Sequence, residues 1–320
     1  MEISTNKNRL QHFPVMMYAI VMGMSGLTIA YQKAHLWLGL PEIIAIVLTV
    51  ITTSVFIIVS FLYIEKTLKY KAEVKKEFAH PIRINFFAAI SISMIMLSII
   101  YHEYNNIVSQ FFWYPGTLLH LYLTMYTISF WINHNQQLDH SNPAWFIPIV
   151  GNVLVPVAGV GFVSNDILMY FFSVGMFFWF VLFSIIFNRI IFHNQLAIKF
   201  MPTLFILIAP PAVGFIAYFK MFGTIDTFAT FLFNIGLFFT LLVAFMYKNF
   251  LKIKFFISWW AFVFPVAAMS ISSMLMYHIV GGVVFLILSY IMLSITTIII
   301  GIVLYQTIKN ITHKSICVQE

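Results

Sequence analysis

Few residues in this 320-residue chain are of the types that make and break bonds, and they are not spaced to do so. His134, Asp139 and His140 share the stretch "NHNQQLDH" and could in principle hold a metal, but such irregularly spaced polar residues read as a solvated inner loop, and no metal site is expected. "YHEYNN" at 101–106 lacks the paired histidines of a helical zinc site. No glycine–lysine phosphate loop and no G-x-S-x-G elbow occurs. We therefore expect neither an enzyme nor a cofactor. His120 lies in an apolar run and reads as a hydrogen-bonded packing residue. The residues that stand out are Phe264 and Pro265 in "SWWAFVFPVAAMS", within a run of more than twenty almost uncharged positions. A proline there removes a helical hydrogen bond and bends the helix. Phe264 taken alone reads as one packing ring among 36 phenylalanines.

The elements that position these residues are membrane spans. The chain is 62% hydrophobic and 8% charged, with a mean hydropathy of +0.96. Soluble domains carry about 25% charged residues, and a span needs roughly 20 apolar residues. We read ten spans at 14–32, 41–64, 82–101, 111–132, 143–163, 167–188, 202–219, 227–247, 255–276 and 281–308. With the N-terminus inside, fifteen of the seventeen Lys and Arg face the cytoplasm, leaving only Lys33 and Lys220 outside. This asymmetry supports both the even count and the orientation, with both termini cytoplasmic. The net charge of +7 is then a topology signal, and no nucleic-acid partner is expected. Cys317 is the single cysteine, so no internal disulfide is expected.

The spans pair as five hairpins, at about 14–64, 82–132, 143–188, 202–247 and 255–308, forming one transmembrane domain. Mid-span prolines concentrate in odd spans: Pro148 and Pro156 in the fifth, Pro210 and Pro211 in the seventh, Pro265 in the ninth. Among even spans only Pro115 qualifies. Freed carbonyls are tolerated in hydrocarbon only when buried in protein or facing a watery cavity. The odd spans are thus expected inside and the even spans against lipid. Five inner helices could enclose a narrow tube, although membrane helices are proline-rich in general. The spans hold no Asp, Glu or Lys away from their ends, and Arg83 is their only Arg. That argues against ion-coupled transport and leaves a neutral passage lined by backbone, small residues and aromatics.

Three segments, "HPIRINFF" at 80–87, "LIAPPAVGFIAY" at 207–218 and "SWWAFVFP" at 258–265, resemble the tellurite-resistance/dicarboxylate transporter family. That family includes bacterial TehA and the plant guard-cell slow anion channel, and the similarity runs along nearly the whole chain. The resemblance implies an all-α polytopic membrane protein: ten transmembrane helices as five hairpins, in quasi-fivefold arrangement around a central anion-conducting pore. In that family a phenylalanine of the ninth helix plugs the pore, and alignment on the Trp-Ala-Phe motif implies that the corresponding residue here is Phe264. Phe262 competes, but two residues are about 200° of helical rotation apart, so only one can face the axis. Pro265 would hold the adjacent ring at a fixed angle across the pore. The other residues implied as lining or kinking are Gly23, Pro148, Pro156, Pro210 and Pro211. Two departures stand out: Val21 and Ser91 occupy places where relatives carry mid-helix prolines, with Gly23 and Gly26 left to keep the first helix bendable.

The leading functional reading is a gated, uncoupled channel for small inorganic anions in the bacterial plasma membrane, passing nitrate more readily than chloride. The alternative is a carrier of tellurite or C4-dicarboxylates such as malate, for which the spans supply no Arg or Lys partner. A membrane enzyme or sensor without conduction is the third. By resemblance a homo-oligomer, of trimeric type, is expected in the bilayer, each protomer with its own pore. The short inner tails argue against kinase control.

Overall fold

The structure is a computed structural model and describes residues 9–317 apart from Lys252. Lys7 and Lys252, both counted among the inner cations, and the side chain of Asp139 lie outside that set. The described residues form twelve α-helices: α1 Tyr18–Leu38, α2 Glu42–Lys69, α3 Lys71–Phe78, α4 Ala88–His102, α5 Asn106–Asn133, α6 Phe146–Val150, α7 Val155–Gly159, α8 Asn165–Phe192, α9 Ala209–Phe222, α10 Thr227–Phe245, α11 Val263–Val280 and α12 Val283–Thr312. Eight segments, built on α1, α2, α4, α8, α9, α10, α11 and α12, are long and apolar enough to cross a membrane. The expected fourth span coincides with α5, a 28-residue helix made less apolar by Gln110, Pro115, His120 and several tyrosines. The expected fifth is a broken apolar run, Pro143–Gly159. The protein is a polytopic, all-helical membrane protein, and length with apolarity alone identifies eight of the ten expected spans.

Inner and outer helices differ in winding. The outer ones, α2, α5, α8, α10 and α12, run unbroken, and α5 continues through Pro115. Each inner one is entered through, or interrupted by, 3₁₀ turns: Val15–Met17 before α1, Arg83–Phe87 before α4, Pro143–Trp145 and Gly151–Leu154 around α6, Ile198–Ile208 before α9, and Ile257–Phe262 before α11. Proline explains part of this. In α-geometry the Ala261 carbonyl would need the N–H that Pro265 lacks. In 3₁₀ geometry the donor comes one residue earlier, from Phe264. The first and third spans make the same switch without a mid-span proline, and Val21 and Ser91 both sit within continuous α-helix.

The inner helices close a ring. α1 packs on α4 and α11, α4 on α6 and α7, α7 on α9, and α9 on α11. Each also packs on the long helix that follows it, giving the pairs α1–α2, α4–α5, α7–α8, α9–α10 and α11–α12. In the spans built on α1, α4, α9 and α11, 72–83% of the apolar window is buried, against 22–39% in α2, α8, α10 and α12. At one end of the ring Glu77 of α3 anchors the chain before α1. It accepts hydrogen bonds from the Val15 N–H at 2.7 Å, Lys66 Nζ at 2.7 Å and the Tyr63 hydroxyl at 3.1 Å.

Candidate functional site: two cavities within the ring

Within the ring lies a cavity of about 80 Å³ to which all five inner segments contribute, including Met22, Ala89, Gly151, Ile206, Pro210 and Pro265. Its walls are almost wholly apolar. Beyond it lies a vestibule of about 200 Å³ between α1, α4, α7, α9 and α11. Leu154, Val213 and Phe264 belong to the walls of both. These three side chains therefore lie between the two spaces. Phe264 is half-buried, and its ring lies beside α1 at Gly26, where an added Cβ would stand 3.4 Å from Cδ2. Phe262 points elsewhere: it is buried edge-on against Phe205 at 4.6 Å and Phe250 at 5.8 Å, and lines neither space. At the opposite end of the inner cavity, Met16 and Ile257 also line a polar pocket of about 520 Å³. Lys66, Lys76 and Arg83 face it together with Glu73 and Glu77, one cation in excess.

The other residues singled out from the sequence fall in distinct places. Pro210 and Pro265 line the inner cavity. Pro148, Pro156 and Pro211 are buried within the ring. Gly23 meets α11's approach segment: a Cβ there would come within 2.7 Å of the Trp260 ring. Side chains repair the broken fifth span. Thr124 Oγ1 donates to the Pro148 carbonyl at 2.7 Å, Asn152 Nδ2 to Ile149 at 2.7 Å, and Trp113 Nε1 to Val155 at 3.0 Å. His120 is fully buried, with Nδ1 2.9 Å from Ser91 Oγ. Because Ser91 donates to the Ala88 carbonyl at 2.9 Å, the histidine takes the donor role. A Cβ on Gly151 would lie 2.7 Å from its ring, so glycine is what lets the fifth span pass.

Sequence reasoning missed the charges of the vestibule. Lys33, Glu103, Lys220, His102 and His278 all line it. The expectation of a passage without fixed charge holds for the inner cavity and fails here, because α1 runs on to Leu38 and α9 to Phe222, past the ends expected from hydropathy. Lys33 is only 7% exposed. Its ammonium is paired with Glu103 and lies 5.4 Å above the Trp37 ring, which stacks on His278 at 5.1 Å. Burial by itself would raise the Glu103 carboxyl, but Lys33, then Lys220 and His102, hold it below the usual carboxylate range. A signal was present: Lys33 and Lys220 are the two cations left outside by the topology count, and both end inner spans.

Two spaces thus lie end to end within the ring, an almost wholly apolar cavity and a vestibule lined by two lysines and one glutamate, with Leu154, Val213 and Phe264 in the walls of both. The chain resembles known proteins along most of its length. A family model described as voltage-dependent anion channel matches residues 12–308. The chain is similar to the S-type anion channel SLAH2 of Arabidopsis thaliana, at 29% identity over 94% of this chain and 60% of that protein. It is similar to the tellurite resistance protein TehA homolog of Haemophilus influenzae, at 25% identity over 93% and 91%. An uncharacterized transporter of Methanocaldococcus jannaschii matches at 27% over 85% and 87%. The chain thus spans about three fifths of its plant relative's length. Since the match begins before α1 and ends within α12, taking in the whole ring and both of its cavities, the chain belongs to the voltage-dependent anion channel (SLAC1) family.

Proposed function

We propose that the protein is a passive channel for small singly charged anions, closed at rest by the Phe264 ring. One observation carries this reading: Phe264, with Leu154 and Val213, is the shared wall of two otherwise separate spaces on the axis of the ring. Of the three, Phe264 is the largest, and on this reading its displacement opens the way between them. The apolar inner cavity offers no compensation for lost hydration, so an anion that sheds water easily passes more easily, and nitrate is favoured over chloride. Positive excess at both mouths opposes cations. The inner cavity has no cation for the second carboxylate of a malate-like substrate, which disfavours a dicarboxylate carrier. We place the protein in the bacterial plasma membrane with the Lys66–Arg83 end cytoplasmic, each protomer of a homo-oligomer carrying its own passage.

The test is anion current through purified protein in planar bilayers under chloride, nitrate and potassium gradients. We expect a nearly silent parent, a Phe264→Ala variant that conducts nitrate better than chloride and excludes potassium, and a Phe262→Ala variant that stays closed. A folded Phe264→Ala protein that is silent, or no leakier than Phe262→Ala, overturns the assignment.

A further inference from the structure

The outer vestibule holds more chemistry than a funnel requires. Its walls are largely apolar, drawn from residues such as Ile99, Val157, Ile216, Ala268 and Leu275. Two ammonium groups enter this apolar space from different helices, Lys33 from α1 and Lys220 from α9, against one carboxylate, Glu103. The two lysines are not equivalent. Lys33 is held by Glu103 and by the face of Trp37. Lys220 makes no ion pair with any described residue (the four pairs found involve Lys33, Lys66, Lys69 and Lys76). A half-buried ammonium without an ion-pair partner among the described residues, in a space lined by hydrocarbon, is stabilised by an anion from solution. A doubly charged anion would need both ammonium groups, and Glu103 already occupies one.

We propose that this vestibule is an anion-binding site built on Lys220, and that Glu103 sets its valence by keeping Lys33 engaged. The ligand class is a singly charged inorganic anion such as chloride or nitrate. Sulfate and dicarboxylates are refused because the second cation they need is taken. Glu103 thus acts on the ligand through Lys33, as a specificity-determining residue, and the vestibule sorts ions before they reach the Phe264 partition. The inference rests on the channel reading for its purpose, but binding can be measured without conduction.

The experiment is chloride-35 NMR line broadening on the full-length protein in detergent, with sodium nitrate and sodium sulfate as competitors at constant ionic strength. In the parent, nitrate should narrow the line while sulfate does so only weakly. Lys220→Gln should abolish the part of the broadening that nitrate removes, and Lys220→Arg should retain it. Glu103→Gln should let sulfate compete at a concentration at least tenfold lower than in the parent, with nitrate competition changed much less. Unaltered broadening in a folded Lys220→Gln protein would remove the site. Unaltered sulfate competition in Glu103→Gln would remove the valence filter. Comparable unfolding temperatures for parent and variants establish that each comparison is between folded proteins. Lys220-dependent binding in a protein whose Phe264→Ala form never conducts would sink the channel reading and leave the site standing. Conduction without Lys220-dependent binding would do the reverse.

Discussion

Gly26→Ala should both destabilise the protein and open it, because the added methyl strikes α11 three residues beyond the Phe264 ring. The new Cβ would lie 2.9 Å from Ala267 Cβ and 3.4 Å from Phe264 Cδ2. Carbon atoms in ordinary contact stand about 3.5–4.0 Å apart, so α1 and α11 must separate by roughly 0.6 Å or more. Ala267 cannot swing aside, since its Cβ is fixed to the backbone. Overpacking of this kind costs about 1–3 kcal/mol. The displacement carries Phe264 outward with α11, so partial leak should accompany the loss of stability. The assay is a thermal unfolding midpoint in detergent beside bilayer current under a nitrate gradient. Ala267→Gly added to Gly26→Ala removes the opposing methyl and should restore closure and most of the stability, because the helix-propensity cost of about 1 kcal/mol for glycine at 267 is offset by its removal at 26. A Gly26→Ala protein as stable and as closed as the parent would refute the claim that this contact sets the position of the ring. So would a double variant no better closed than the single one.

Two further outcomes follow from charges already described. Glu77→Gln leaves Lys66, itself 3% exposed, without its carboxylate, and should cost about 3–5 kcal/mol. Adding Lys66→Met should recover part of that loss, read as chemical unfolding in detergent; no recovery would mean the ion pair is not the cause. Glu103 titrates below the usual carboxylate range because Lys33, Lys220 and His102 outweigh its burial, so its contribution to stability is present above the ordinary glutamate value of about 4.3 and is lost as pH falls through its own lower one. Lys33, His102, Lys220 and His278 face it from α1, α4, α9 and α11, and Glu103→Gln isolates its share. The parent's unfolding temperature should drop more than the variant's between pH 5 and pH 3, and parallel curves would contradict the depressed carboxyl.

Long apolar runs and the placement of prolines made the inner and outer spans legible from the sequence, because hydrocarbon allows broken backbone only inside protein. Helical periodicity says only that Phe262 and Phe264 face different ways; the preference for Phe264 came from the resemblance, and in the structure Phe262 packs in an aromatic cluster with Phe205, Phe250 and Trp259. What stayed hidden had local causes. The 3₁₀ entries to α1 and α4 contain no mid-span proline to announce them. The Ser91–His120 hydrogen bond joins residues 29 positions apart. Lys33 and Lys220 were set outside the membrane because a hydropathy window ends at a charge, whereas a helix continues past one whenever the long aliphatic stem can stay buried. Glu103, at the end of α4, could be recognised as Lys33's partner only after the ring had closed.

The 3₁₀ entry before α11 behaves as a thread of different pitch from the helix it joins. A 3₁₀ residue advances about 2.0 Å and turns about 120°, while an α residue advances about 1.5 Å and turns about 100°. Shifting the junction at Phe262 by two residues would therefore shorten the run by about 1 Å and rotate everything beyond it by about 40°. Phe264 stands two residues past that junction. A change of winding confined to Ile257–Phe262 would therefore turn Phe264 like a stopcock, rotating α11 as one body against α1 and α9.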